Sequence, residues 1–217
     1  MTDIILVGSG GCMRELVWQI LESNRISDDW NIIGYVDENM VGKNEGITVA
    51  GLQIPYLGDD DFLLKKDEDI HVVLSVGSPL LRKKLAEKYK ENSHIKFPNI
   101  ILRNASVCDD LKTGMGCIVS MGAKISTNVT MGDFVFINMD GMVCHDGRLA
   151  DYVSINPSAK LAGAVTVGEN TEIGMGANVI QGVHVGCDVV VGAGCVIIED
   201  TGDACTMVGV PGRRVRG

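Results

Sequence analysis

The chain of 217 residues combines a net charge of −9 with 46 % hydrophobic residues, a balance that excludes a disordered chain and argues against a nucleic-acid-binding surface. No apolar run approaches the ~20 residues of a membrane span, and Met1–Leu6 lacks the basic region of a signal peptide, so a cytoplasmic protein without membrane insertion is expected. The seven cysteines form no CxxC pair and suggest neither a disulfide framework nor a zinc site, so no metal is expected.

Asp3–Val7 is an apolar run that ends in Gly8-Ser9-Gly10-Gly11-Cys12. Met13–Ser23 follows as an amphipathic helix with Leu16, Val17, Ile20 and Leu21 inward. A glycine turn between strand and helix lets backbone N–H groups approach a phosphate. The dinucleotide fingerprint wants a third glycine where this chain has Met13, so a nicotinamide cofactor is poorly supported. A tight turn that binds nothing explains the same residues. Asn31–Val36 reads as a second strand that ends in Asp37-Glu38, where an open α/β sheet places side chains beside a nucleotide. Asp37 can accept hydrogen bonds from a ribose or a base, or can serve only as a turn residue before a flexible loop over Asn39–Gly46.

A helix of mixed charge is expected after Gly58-Asp59-Asp60, then a third strand over His71–Val76 that closes on Gly77-Ser78-Pro79, then a helix over Leu80–Glu91. His71 and His94 have no partner in the local sequence and read as structural or solvent-facing. Residues 1–96 are therefore a small Rossmann-like α/β domain with three parallel strands, and residues 97–217 form a second domain with a different periodicity.

That second periodicity is six. Every sixth residue from Val107 to Ile197 is apolar except Thr113, and four residues after each comes a column of mostly small or β-branched side chains, including Cys117, Ala123, Val129, Gly141, Gly147, Ala159, Thr171 and Cys195. An uninterrupted six-residue repeat is the sequence form of a parallel β-helix. Three hexads make one 18-residue coil, and about five coils at ~4.8 Å build a prism roughly 24 Å long. The spacing does not fix the hand of the coil.

Chemistry is expected where the repeat carries residues it does not need. His145 and Asp146 occupy a turn between faces, and the residues that share the His145 column are Asp109, Thr127, Gly163 and Gln181. Packing asks for no histidine there. An outward imidazole beside a carboxylate can be held in one tautomer and act as a general base; a solvated turn histidine is the competing explanation. His184, followed by Gly186, Cys187 and Asp188, reads as structural.

The whole chain resembles the bacterial sugar acyltransferases of the PglD and NeuD type. The resemblance rests on Gly8-Ser9-Gly10-Gly11 with Arg14-Glu15, on Gly34-Tyr35-Val36-Asp37-Glu38, and on Ile137-Asn138 ahead of His145-Asp146. Leu161-Ala162-Gly163 and the closing Val208-Gly209-Val210-Pro211-Gly212-Arg213 complete it. It implies a left-handed β-helix after a nucleotide-binding domain, and acetyl-CoA-dependent acetylation of a nucleotide-linked amino sugar, UDP- or dTDP-linked, for a surface polysaccharide or glycan. O-acetylation of a sialic-acid-like sugar is the alternative.

By the same resemblance His145 is the base and Asp146 its partner, and Asn138 lies in the acceptor pocket. Gly10, Gly11, Cys12, Asp37, Glu38 and Gly77 hold the sugar nucleotide. Ser154, Gly163, Met175, Ala193, Val210 and Pro211 line an acetyl-CoA groove between the prisms of a homotrimer. Three residues depart from the family pattern: Cys12 and Ser154 stand where some members have histidine, and Asp146 where glutamate is commoner. Two other classes compete. A γ-type carbonic anhydrase needs three zinc-binding histidines, and the repeat offers only His145 and His184. A non-catalytic partner of a sugar-biosynthesis enzyme has no need of the His145-Asp146 pair.

Overall fold

In a computed structural model the described residues are 1–42 and 46–216, with the Arg216 side chain left out. They fall into two compact units, one of residues 1–77 and 81–98, the other of residues 78–80 and 99–217. Of the loop expected over Asn39–Gly46, residues 43–45 lie outside the described part.

The first unit is a parallel sheet. Its strands are β1 (Thr2–Val7), β2 (Trp30–Val36), β5 (Tyr56–Gly58), β6 (Ile70–Leu74) and β7 (Ile95–Lys96), in the order β5-β2-β1-β6-β7. A hairpin of β3 (Ile47–Val49) and β4 (Leu52–Ile54) stands apart from the sheet. The helices are α1 (Gly11–Asn24), the short α2 (Asp60–Leu64) and α3 (Pro79–Tyr89). The three expected strands are thus the centre of a five-stranded sheet. Its edges, β5 and β7, are too short to carry a period of two. Helix α1 buries Met13, Leu16, Val17, Gln19 and Ile20, while Leu21 is only half-buried. Ile4, Leu6, Val36 and Val72 are enclosed at the sheet centre.

The second unit is a left-handed parallel β-helix whose strands, up to Val196–Ile197, are two residues long and pair in register with strands 18 residues away, as Ile118 and Val119 do with Phe136 and Ile137. Its three faces are sheets of five, six and eight strands, and only the last pair, Thr206–Val208 with Arg213–Arg216, is antiparallel. Both columns expected from the sequence are inside. Val119, Ile137, Val143, Ile155 and Val191 pack with Cys117, Ala123, Val129, Ala177 and Cys195 in one continuous core. Thr113, in the first coil, is half-buried.

A third column explains the corners. Gly116, Gly122, Asn128, Phe134, Asp140, Asp146, Tyr152, Ser158, Ala164, Asn170, Gly176, Gly182, Asp188 and Gly194 all have positive φ. One left-handed residue per hexad turns the chain from one face to the next, a conformation that glycine, asparagine and aspartate adopt at least cost. Phe134 and Tyr152 are the bulky exceptions, and their rings stack 5.6 Å apart.

Candidate active site

In the first unit, the turn after β1 opens at the carboxyl ends of the parallel strands, where open α/β sheets bind ligands. Gly10 caps α1 with no side-chain hydrogen bond. The N–H groups of Gly11, Cys12 and Met13 therefore remain as donors at the positive end of the helix. Gly10, Gly11 and Gly77 have no neighbour within 4 Å of the position a Cβ would take, and none has positive φ. Neither conformation nor packing asks for glycine at these places, so the space they leave is open to a ligand.

Asp37 follows β2 and ties two turns together. Its Oδ2 accepts from Ser9 Oγ at 2.6 Å, and its Oδ1 accepts from the Asn39 amide at 2.8 Å and the Asn39 side chain at 3.0 Å. The turn role expected of Asp37 is met by the two hydrogen bonds from Asn39. Asp37, Glu38 and Asn39 line a cavity of about 130 Å³ with Gly8, Asp60, Val76, Leu81 and Leu85. Behind it, Lys88 binds Asp60 Oδ2 and, at 2.8 Å, Glu38 Oε1, while Tyr89 OH donates to Asp60 Oδ1 at 2.5 Å. Burial pushes the Asp60 carboxyl up, but the Lys88 and Tyr89 hydrogen bonds outweigh it and hold the group below the usual carboxylate range. Asp60 was not singled out in the sequence; its partners stand on α3, far along the chain.

The Cys12 side chain turns inward. Burial, opposed by the charge of Arg82, pushes its thiol up to about 11. At neutral pH it is a protonated filler rather than a reactive group. Arg82 is itself enclosed at 1 % exposure and donates to the carbonyls of Val76 and Gly77 at 2.9 and 3.0 Å, which fixes the turn that carries Gly77.

In the second unit, His145 and Asp146 form a pair on one corner. His145 Nδ1 lies 2.8 Å from Asp146 Oδ2, and the two side chains are 51 % and 53 % exposed. The imidazole makes no other hydrogen bond among the described residues, so Nε2 faces outward unengaged. The hydrogen bond from His145, then one from Asn128, holds the Asp146 carboxyl below its ordinary range, so it stays ionised. Gly163, one coil on, leaves room for the ring. His184 has a partner of its own, Thr166 Oγ1 at 2.7 Å, and its backbone N–H donates to Asp200.

The remaining expected residues do not gather around His145 within one chain. Asn138 ends the face that precedes Met139–Gly141, and its Oδ1 accepts from the Met139 amide at 2.7 Å. Met175 and Ala193 occupy that same corner in successive coils, where Gly194 N–H donates to the Met175 carbonyl. The strand Met142–Val143 and the face it belongs to separate this corner from His145. Along that face lies an open groove of about 370 Å³ lined by Met142, Cys144, Lys160, Ala162, Asn178, Ile180 and Gln181. Ser154 is not brought to it; it is enclosed at 1 % exposure. Val210 and Pro211 are exposed in the connection before the last strand.

The PglD N-terminal domain family matches residues 3–89. Among solved structures, a histidine-to-alanine mutant of GDP-perosamine N-acetyltransferase from Caulobacter crescentus, in complex with CoA and GDP-perosamine, superposes with a TM-score of 0.85 at 30 % identity, covering 100 % of this chain and 98 % of that one. The acetyltransferase domain of PglB from Neisseria gonorrhoeae, in complex with acetyl coenzyme A, matches with a TM-score of 0.86 at 27 % identity over 98 % of both chains. WeeI from Acinetobacter baumannii, at 19 % identity and a TM-score of 0.69 over 99 % of this chain and 100 % of that one, shares the fold. No curated protein matches the sequence.

Proposed function

This chain belongs to the PglD/NeuD-type family of sugar acyltransferases, and from that premise we propose that it transfers the acetyl group of acetyl-CoA to the amine of a nucleotide-linked amino sugar. The observation that carries the reading is the His145-Asp146 pair, with Nδ1 engaged at 2.8 Å and Nε2 outward. Asp146 accepts the Nδ1 proton and leaves Nε2 as the basic nitrogen. His145 Nε2 takes a proton from the acceptor amine as its nitrogen bonds to the thioester carbonyl carbon. The imidazolium, stabilised by the Asp146 carboxylate, returns that proton to the departing sulfur.

The sugar nucleotide is assigned to the first unit, its diphosphate at the open turn Gly10-Gly11-Cys12 with Gly77 and its base or ribose beside Asp37 and Glu38. Acetyl-CoA is assigned to the open groove between the His145 corner and the Met175-Ala193 corner, with Gly163 and the Val210-Pro211 connection at its margins, and Asn138 to the acceptor pocket. One prism supplies only one wall of such a groove. A second copy supplies the other, and closed threefold symmetry completes three sites at once, so the working form is a homotrimer. The trimer serves surface-glycan synthesis in the cytoplasm.

The test is to offer amino sugars linked to GDP, UDP, dTDP and CMP with acetyl-CoA and to follow thiol release and mass gain. Acetylation of one nucleotide-linked amine, and of none of the free sugars, is expected. Acetylation only of a hydroxyl would replace the N-acetyl reading with the O-acetyl one, and no turnover by a protein that binds acetyl-CoA would sink both. Light scattering alongside should give a trimer; an active monomer at assay concentration would overturn the shared groove.

A further inference from the structure

Asp146 is held from two sides. Its Oδ2 faces His145 Nδ1 at 2.8 Å, and its Oδ1 accepts from Asn128 Nδ2 at 3.3 Å. Asn128 lies one coil earlier at the same corner position, and both residues are left-handed, with φ of 57° and 60°. Asn128 is itself anchored: its backbone N–H donates to Asp110 Oδ2 at 2.9 Å, and Thr127 Oγ1 donates to the same oxygen at 2.6 Å. The Thr127 carbonyl in turn accepts from the Asp146 N–H at 3.1 Å. A ladder thus climbs the corner from Asp110 through Asn128 to Asp146 and ends at the imidazole. Beyond it the same corner position is Ala164 and then Gly182, which offer no polar side chain.

The left-handed turn does not require asparagine, since glycine or aspartate serves equally. What the carboxamide adds is a neutral donor aimed at an exposed carboxylate. With one hydrogen bond the carboxylate can rotate away from the ring; with two its plane is fixed. We infer that Asn128 is a positioning residue of the transfer reaction: it orients the Asp146 carboxylate toward His145 Nδ1 and so keeps Nε2 outward as the proton acceptor. The inference rests on His145 being the general base.

The fold supplies its own control. Asn170 Nδ2 donates to Asp188 Oδ1 at 3.1 Å across the same 18-residue step, on another corner, where the residue before the aspartate is Cys187 and no imidazole depends on it. An effect of the corner ladder on folding alone appears at both sites, and an effect on catalysis only at Asn128.

The charged groups around the pair are Asp110, Asp146, His145 and Arg148, whose charge acts on Asp146. Two substitutions compatible with positive φ remove the donor: Asn128→Gly deletes the carboxamide, and Asn128→Asp puts a third carboxylate beside Asp110 and Asp146. Both should lower plateau kcat by about tenfold, with KM for acetyl-CoA and for the acceptor within about twofold of wild type. Asn170→Gly should leave kcat unchanged. A plateau kcat for Asn128→Gly or Asn128→Asp within twofold of wild type, a loss that falls on KM instead of kcat, or an equal kcat loss in Asn170→Gly would overturn the assignment. His145→Ala, run beside them, separates the two readings. If it stays active the base is elsewhere, whereas an inactive His145→Ala with a normal Asn128→Gly refutes the positioning role alone.

Discussion

A methyl group added to Gly163 would lie 2.3 Å from both Cε1 and Nε2 of His145. The ring therefore occupies the space that a side chain one coil on would fill, and glycine there is a condition for the imidazole to lie where it does. Gly163 does not have positive φ, so the backbone tolerates alanine and the steric conflict falls on the ring. Gly163→Ala is expected to keep its melting temperature and lose about 10²-fold in kcat, the scale of a 1 Å misplacement of a reacting group. Normal turnover with the ring visibly displaced in a crystal structure would refute it.

His145 is half-exposed and outside the core, so its removal should spare the fold. His145→Ala is expected to lose about 10² to 10⁴ in kcat at an unchanged melting temperature. Asp146→Asn should lose less. It deletes the negative charge that stabilises the imidazolium formed during transfer, so kcat should fall while KM for both substrates holds. A kcat for Asp146→Asn equal to that of wild type would show that the carboxylate does not act on the imidazole.

At Asp37 the hydrogen bond from Ser9 joins the turns after β1 and β2, and the two from Asn39 hold the second turn. Asp37→Ala frees both turns where the nucleotide is assigned, while the prism is untouched. The acceptor KM should rise at least tenfold, and the acetyl-CoA KM should stay within about twofold. Isothermal titration with each substrate separates the outcomes, and equal weakening of both would mean a general folding defect.

Asp60 links acid stability to the same region. Its folded-state carboxyl is held below the ordinary value by Lys88 and Tyr89. The resulting stability is present above the unfolded value of about 3.9 and is lost as pH falls through the lower folded value. Asp60→Asn should cost about 2 kcal/mol near pH 7, the scale of a hydrogen bond to a charged group. Urea unfolding across pH should show the gap between wild type and variant closing below about pH 3.9. A gap that is constant with pH would place the cost in packing instead.

The two inward columns of the prism were legible because a period of six leaves every coil the same requirement: aliphatics at Val119, Ile137 and Ile155, small groups at Cys117 and Ala159. The left-handed column was equally present, as the six-residue spacing of Gly122, Asn128, Asp140 and Asp146, but the aromatic exceptions Phe134 and Tyr152 interrupt it by eye. His145 stood out because no column wanted a histidine. Asn128 did not, since asparagine at a turn satisfies the local rule and its second task shows only when residues 18 apart are stacked. The same limit hid Asp60, whose Lys88 and Tyr89 partners are 28 and 29 residues away. Strands β5 and β7 are too short to announce themselves, and exist because longer neighbours offer an edge.

One left-handed residue in every hexad also sets how this molecule can change length. Removal of a single residue between Gly116 and Gly194 moves each small inward residue onto the left-handed position and each inward aliphatic onto the outward-facing strand position for the rest of the prism. Removal of six keeps inside and outside but turns everything downstream by one face, carrying the Met175 edge away from the edge that holds Asn138. Only steps of 18 preserve both the interior and the alignment of the edges. The prism is therefore a ruler graduated in whole coils, and viable natural length variants of this region are expected to differ by one coil or to carry their extra residues as loops that leave the stack at a corner.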